Sequence, residues 1–447
     1  MTENILILGN GFDLAMKRKT SYEDFLKFSR IVLIYRELIS KKSEDVSSIE
    51  ELADYLKIPK EEIEKGGVAL TGNQSYVYQI PFEINSIVEL LNVGGKNLEW
   101  LWNLPDNLFI RFIETNKDTL GKNWSGIELT IADIAEAIAM LKNHLEELDN
   151  LFSNLELPDD DPLKEQSVKQ VKIQVKDKFN KESNALAISY IVDILVTEFD
   201  NQVKKTHISR LDDINKKFIA ELENLTDYLE FYLTYLEQFD FETRAIQNQD
   251  RPKTVLDAIT NIEQSKVVTF NYTNTAEKLL GISEEGTHFI HGKINWKRNA
   301  DEMNTMVFGI EDKEAEVENI NEDLIPYQKF YQRAVKETGN FYEKFWSSAS
   351  VGGDIYTQST ALNIVVFGHS VDPLDKEIFK KCFELSEIKG WDYRFIFTYY
   401  NLDAKRAIVK NIAIILGKSE LVRLTGEERI KFVQSSDIDQ MRKELLN

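Results

Sequence analysis

The sequence predicts an α/β fold: a Rossmann-like, mostly parallel sheet, discontinuous in the chain, with a large all-α helical insertion. Three observations lead there. The first apolar run, Ile5-Leu6-Ile7-Leu8, is broken by Gly9-Asn10-Gly11 and followed at Phe12 by residues that can start a helix, a strand–turn–helix opening. From about residue 31 to 254 apolar residues recur at helical spacing. Near residue 265 short β-type runs return and alternate with helical stretches, the pattern of a parallel sheet covered on both faces. Residues 1–30 and 255–447 are therefore assigned to one α/β domain and 31–254 to a helical insertion domain.

Within the insertion, Ile131, Ile134, Ile138, Leu141, Leu145 and Leu148 step by three and four, as do Leu211, Ile214, Phe218, Leu222, Leu225, Leu229, Tyr232 and Leu236. Each set is one stripe of an amphipathic helix and reads as bundle core. Between them the acidic, proline-bracketed residues 158–162 suit a surface connection. After the insertion the expected strands are residues 267–270, 288–290, 306–308, 363–367 and 393–397. The aromatic stretch Tyr327, Phe330, Tyr331, Phe341, Phe345 and Trp346 reads as helix-packing core. Only 20 glycines and 8 prolines in 447 residues favour long helices over a turn-rich sandwich.

Composition limits the function classes. Fifty-four basic against 75 acidic residues leave a formal charge of −21, a field that repels phosphate backbones and anionic lipid, so neither general nucleic-acid binding nor membrane binding is expected. The 43% hydrophobic content is that of a folding chain, not a disordered one. Cys382 is the one cysteine, which allows no internal disulfide and no paired thiolates for structural zinc, and points to a reducing compartment. Residues 5–8 are too short for a signal h-region, and no run of about eighteen apolar residues offers a membrane span. The expected location is the cytoplasm.

Chemistry-bearing residues gather where strands should end. Gly9-Asn10-Gly11-Phe12-Asp13 occupies the place of a nucleotide-binding loop, although Leu14 replaces the third glycine of G-x-G-x-x-G. Thr269 and Asn271 follow the second strand, and Asn271 would project from the sheet's carboxyl edge or cap the next helix. His291-Gly292 ends a third strand, a general-base candidate with room beside it. Gly368-His369-Ser370 follows the strongest strand, and Asp372-Pro373 begins the helix after it. Singly each has a plain structural reading; four polar strand-end loops in one α/β domain describe a ligand crevice.

Other chemistries find less support. No H-E-x-x-H and no G-x-S-x-G occur, and Gly417-Lys418-Ser419 lacks the P-loop glycine because position 412 is Ile412. Five histidines in all make a metal site unexpected, and His144 falls off its helix's apolar stripe as a solvated residue.

The four loops together resemble a known family. Residues 5–15, Ile-Leu-Ile-Leu-Gly-Asn-Gly-Phe-Asp-Leu-Ala, with Thr20-Ser21-Tyr22-Glu23-Asp24-Phe25 after them, closely resemble the start of the bacteriophage abortive-infection AbiH family. Residues 269–273 (Thr-Phe-Asn-Tyr-Thr), 290–292 (Ile-His-Gly) and 366–370 (Val-Phe-Gly-His-Ser) resemble its later blocks. The same order is similar to a divergent sirtuin-type domain, whose loops surround NAD. That resemblance implies Gly9, Asn10, Gly11, Phe12 and Asp13 on the phosphate side, with Thr269 beside them. It further implies Asn271 positioning water or ribose hydroxyls and His291 as base, with Gly368, His369, Ser370 and Asn401 toward the adenosine half. Sirtuin deacylases carry a four-cysteine zinc module that one cysteine cannot supply, so NAD hydrolysis is expected in place of protein deacylation. The motifs cover about residues 1–30 and 262–402, and the helical insertion matches nothing specific.

The leading expectation is an antiphage effector that hydrolyses NAD at the nicotinamide–ribose bond, with NAD as substrate and no metal. Two alternatives stand beside it: a non-catalytic module that senses NAD or an ADP-ribose derivative, and a metal-dependent nuclease or nucleotide hydrolase, which would need clustered carboxylates where the sequence shows Asp13 and Asp372 at strand ends but no diagnostic pair. A phage-derived trigger or partner protein and a homo-oligomer are compatible with each.

Overall fold

The computed structural model describes residues 2–40, 68–71, 74–77, 84–116, 124–144, 163–199, 207–299, 302–311, 321–346, 361–387 and 392–446. Its strands are β1 (Thr2–Leu8), β2 (Val68–Thr71), β3 (Gln74–Val77), β4 (Lys266–Thr269), β5 (Thr287–Phe289), β6 (Ala361–Phe367), β7 (Asp392–Tyr399) and β8 (Ile430–Gln434). Six of them form one sheet in the order β5-β4-β1-β6-β7-β8, every neighbouring pair parallel. From β1 the chain builds outward to β4 and β5, then returns to β1's other side for β6, β7 and β8. The strand order therefore reverses between β1 and β6, the switch point at which open α/β sheets form their crevice.

Burial explains which strands announced themselves. All seven residues of β6 are buried, as suits a central parallel strand with helices on both faces. The edge strand β8 is only partly buried and alternates weakly, so its residues carry little strand signal in the sequence. Residues 306–308, expected as a strand, are buried but join no strand. Their backbone bonds go outside the sheet, Val307 N–H to His291 O and Phe308 N–H to the Gln332 side-chain Oε1 of a later helix, and Met306 and Phe308 pack into the helical core.

Alternate residues of each strand feed opposite faces. Ile5, Ile7, Ile364, Val366, Phe395 and Phe397 share one apolar cluster, while Leu6, Leu8, Val365, Phe367, Ile396 and Val433 share another. Helices α1 (Asn10–Ala15) and α2 (Tyr22–Ser40) follow β1. Then come α3 (Ile84–Val93), α4 (Leu98–Trp102), α5 (Leu108–Thr115), α6 (Trp124–Asn143), α7 (Lys164–Phe179), α8 (Ala185–Phe199) and α9 (His207–Glu237). The α/β part resumes with α10 (Thr275–Leu280), α11 (Lys329–Val335), α12 (Lys376–Glu387), α13 (Leu402–Leu416), α14 (Lys418–Gly426) and α15 (Ile438–Glu444). No helix among the described residues is long and apolar enough to cross a membrane.

The helical part has its own core. The whole stripe of α9, Leu211 to Leu236, is buried, and so are Ile131, Ile134, Ile138 and Leu141 of α6. Leu145, Leu148 and residues 158–162 lie outside the described residues. This core starts at Tyr22 and is completed by Ile294, Trp296, Met306, Phe308, Ile310, Leu324 and Tyr327. The β2–β3 hairpin interrupts a stretch expected to be helical; Gly72-Asn73 between two β-type runs is its sequence signal. In the aromatic stretch Tyr327, Phe345 and Trp346 are buried, whereas Phe330, Tyr331 and Phe341 are exposed, because short helices bury one face only. His144 is half-buried: a ring nitrogen lies 2.9 Å from Met140 O and the ring meets Phe179 edge-on.

Register sets the level of the crevice. Leu8 lies beside Thr269 on one side and Phe367 on the other, so the loops after β1, β4 and β6 leave the sheet together. There the first and fourth loops touch backbone to backbone. Gly9 N–H donates to Phe367 O at 3.1 Å and Gly11 N–H to Gly368 O at 2.8 Å. A Cβ on Gly11 would lie 2.7 Å from Gly368 Cα, and one on Gly368, whose φ is +69°, would lie 2.1 Å from Phe12 N.

Glycine at 368 is thus required both by its left-handed backbone and by the neighbouring loop. Gly368→Ala should cost more than about 3 kcal/mol of stability, whereas Gly426→Ala, with open space around it, should stay within about 0.5 kcal/mol. Equilibrium denaturation of the two variants beside wild type measures the contrast, and equal stabilities would overturn it.

Candidate functional site

Asn271 stands two residues past the β4 position that pairs with Phe289, and His291 stands two residues past Phe289 itself, so the two occupy equivalent levels on adjacent strands. Asn271 does not cap the next helix, whose N-cap is Asn274. Its N–H donates to Thr269 Oγ1 at 3.0 Å, and its Nδ2 donates to Gly9 O at 3.1 Å. A carbonyl only accepts, so that bond fixes the amide's orientation. Asn271 Oδ1 is left buried, with no hydrogen-bond partner among the described residues. Thr269, Asn271 and Thr273 line a cavity of about 10 Å³, the room of roughly one water.

His291 belongs to a second network. Its Nε2 lies 3.2 Å from Asp375 Oδ1, and its Nδ1 is buried with no partner among the described residues. Lys329 Nζ donates to the same Asp375 oxygen at 3.1 Å and lies 3.0 Å from Glu128 Oε1 of α6. His369 accepts the Val371 N–H on Nδ1 at 2.8 Å, so in the neutral ring the proton sits on Nε2, which faces Asp375 Oδ2 at 3.5 Å. The Phe270 ring contacts both imidazoles, with centroids 5.5 Å from His291 and 4.2 Å from His369.

The electrostatics follow from burial and from one ammonium. Burial, then Lys329, pushes the His291 imidazole down to about 4 against the pull of Asp375, so the ring is neutral at neutral pH. Burial alone would raise the Asp375 carboxyl, but Lys329 and the two imidazoles hold it well below the usual range. Burial raises Glu128 to about 7 in spite of Lys329.

Asp13 lies in a third network, between the sheet and the insertion. Its Oδ2 accepts the Thr273 hydroxyl, its Oδ1 has no partner among the described residues, and burial raises its carboxyl against the lowering effect of Arg18. Arg18 Nε donates to Asp240 Oδ2 at 3.0 Å, and Nη1 donates to Thr275 Oγ1 and lies 3.7 Å from Glu237 Oε1. Glu237 in turn accepts the Asn274 N–H at 2.8 Å. One buried guanidinium therefore faces the carboxylates of Asp13, Glu237 and Asp240, two of them from α9 and the turn that follows it.

The other expected site residues have structural partners. Two of the N–H groups expected to face a pyrophosphate, those of Gly9 and Gly11, are spent on β6 and its loop. Asn10 exchanges hydrogen bonds with Thr20, and Phe12 packs edge-on against Phe367. Ser370 is exposed and its carbonyl accepts Asn411 Nδ2 at 3.1 Å. Asn401 caps α13 through the Ala404 N–H at 2.8 Å, and Asp372 accepts the Leu374 N–H at 3.0 Å. Asp375, one turn beyond Asp372, is the carboxylate that reaches the imidazoles; Lys329, Glu128 and Arg18 carry no local sequence signal.

A family model described as Bacteriophage abortive infection AbiH matches residues 5–397. The match contains the end of β1 and all of β4, β5 and β6, and with them all four loops of the crevice. No curated protein and no solved structure matches the chain.

Removing the charge of Arg18 leaves three carboxylates buried around an apolar side chain. Arg18→Met should destabilise the fold by about 3–5 kcal/mol, whereas Arg406→Met, whose exposed pair with Asp403 is worth little, should stay near wild type. Urea denaturation reads both, and a wild-type midpoint for Arg18→Met would show that the network carries no weight.

Proposed function

The chain belongs to the bacteriophage abortive-infection AbiH family, and from that premise we propose that it is an antiphage effector that hydrolyses NAD at the nicotinamide–ribose bond. One observation carries the reading. At equivalent levels past the ends of the adjacent strands β4 and β5, two buried acceptor atoms, Asn271 Oδ1 and His291 Nδ1, have no donor among the described residues. An unsatisfied buried acceptor costs about 1–3 kcal/mol, so a ligand that brings donors is favoured there. Water and ribose hydroxyls are donors; a pyrophosphate offers acceptors only, and the Gly9 and Gly11 amides are already engaged. The reading rests on the acceptor pair and not on the glycine loop.

The chemistry suits a weak base. The glycosidic bond to a pyridinium breaks through an oxocarbenium-like state, with the bonding pair passing to the ring nitrogen as neutral nicotinamide leaves. Water then needs positioning more than activation. Asn271 Oδ1 orients its hydrogen, its oxygen bonds the anomeric carbon, and His291 Nδ1 takes the proton. The cavity beside Asn271 has room for about one water, so a dinucleotide enters only when the loops part. A metal-dependent nuclease has less in its favour, because Asp13 faces the Arg18 guanidinium and Asp372 accepts the Leu374 N–H.

Purified full-length protein should release nicotinamide from NAD, measured by chromatography, and phage infection of bacteria producing it should lower cellular NAD. Asn271→Ala and His291→Ala should each reduce release by about 100-fold or more with folding retained. Protection from phage with undiminished NAD would overturn the proposal. NAD recovered intact from the denatured protein, with no turnover, would favour the sensing module in its place.

A further inference from the structure

Three separate parts of the chain converge on His291. Asp375 comes from the loop after β6, Lys329 opens α11, and Glu128 belongs to α6 of the insertion. Their side chains are 11%, 4% and 16% exposed, so their charges act through little water. Among the described residues, the charged and titratable groups around the imidazole and its partners are Asp375, Lys329, Glu128, Arg333, His369, Asp372 and the Tyr272 phenol.

A carboxylate 3.2 Å from an imidazole ordinarily draws a second proton onto the ring. Protonation would turn Nδ1 from an acceptor into a donor and abolish a base there. In this structure the Asp375 oxygen that faces His291 Nε2 also accepts from Lys329 Nζ at 3.1 Å, so its charge is already answered. Glu128, 3.0 Å from the same Nζ, holds the ammonium between the two carboxylates.

We propose that Lys329 is a positioning residue for His291: sharing one Asp375 oxygen with the imidazole, and held by Glu128 of the insertion, it keeps the ring uncharged, its proton on Nε2 and its Nδ1 open as an acceptor. The inference rests on His291 as the base of the preceding reading. It also makes the insertion part of the site, because α6 supplies the carboxylate that fixes the ammonium. The depressed proton affinity of His291, caused first by burial and then by Lys329, agrees with this geometry.

The test reads the imidazole itself. Five histidines make selective ¹³C,¹⁵N-histidine labelling of the full-length protein tractable, with the His291 signal assigned by its loss in His291→Gln. In wild type the His291 ring should stay neutral, with the proton on Nε2, from about pH 5.5 to 8. Lys329→Met should raise its proton affinity by roughly 100-fold or more, so that it titrates near neutrality. Lys329→Arg, which keeps the charge, should hold it neutral. An imidazolium or an Nδ1–H tautomer in wild type at neutral pH overturns the proposal even if Lys329→Met does not fold, and so does an unchanged titration in a folded Lys329→Met. These signals do not depend on NAD turnover, so an inactive protein with the expected titration would sink the hydrolase reading alone. If turnover is present, Lys329→Met should lose it at neutral pH and regain it as pH rises.

Discussion

The carboxyl edge of this sheet depends on one close approach, the contact between the loops after β1 and β6. Gly11 N–H reaches Gly368 O only because neither residue has a Cβ, and Gly368 adopts a backbone that other residues adopt at a cost. Once the two loops are locked, Gly9 O is presented to Asn271 Nδ2 and His369 is set against Phe270. The loop that continues past Gly368 then carries Asp375 to both imidazoles. Backbone packing of a few glycines thus decides where the polar side chains of the loops after β4, β5 and β6 stand.

The second organising force is buried charge, and in both networks the insertion supplies part of it. Arg18, close behind β1, faces Glu237 and Asp240 from the end of α9. Lys329 faces Glu128 from α6. Such pairs add little net stability, since desolvation offsets most of the attraction, but a misplaced partner leaves a bare charge in the interior. They therefore act as alignment pins between the helical core and the sheet, complementing the apolar contacts of Ile294, Trp296, Met306, Phe308, Ile310, Leu324 and Tyr327. The surplus of acid in the chain is only partly a matter of solvated faces, because Asp13, Glu128, Glu230, Glu237, Asp240 and Asp375 are all largely buried.

What could be read from the sequence was what is local and periodic. Five of the six sheet strands are apolar runs bounded by turn residues, and the stripes of α6 and α9 are regular enough to name their buried residues. The loop positions of Asn271, His291 and His369 followed from strand ends. Residues 306–308 misled because an apolar triplet is buried equally well by a loop that packs on helices. The Gly9–Gly11 pair shows a subtler limit: glycine announces that something approaches closely, but not whether it is a ligand or another stretch of backbone. Asp375, Lys329, Glu128 and Arg18 were not legible at all, because a lone charged residue looks the same on a solvated face and in a buried bridge until the fold brings its partner.

The discontinuity of the α/β part has a consequence in time. β1 lies at the centre of the sheet, yet its two neighbours, β4 and β6, are synthesised some 250 and 350 residues after it. At about 5–20 residues per second, the first strand waits on the order of ten seconds to a minute for partners. Over such a span, loop closure becomes practical once the intervening helices have collapsed and brought the ends together. The insertion can begin to collapse while synthesis continues, but its core is complete only once Tyr327 has been made. The cluster around His291 can close only after residue 375 has been made, so a nascent chain shorter than that carries no assembled site.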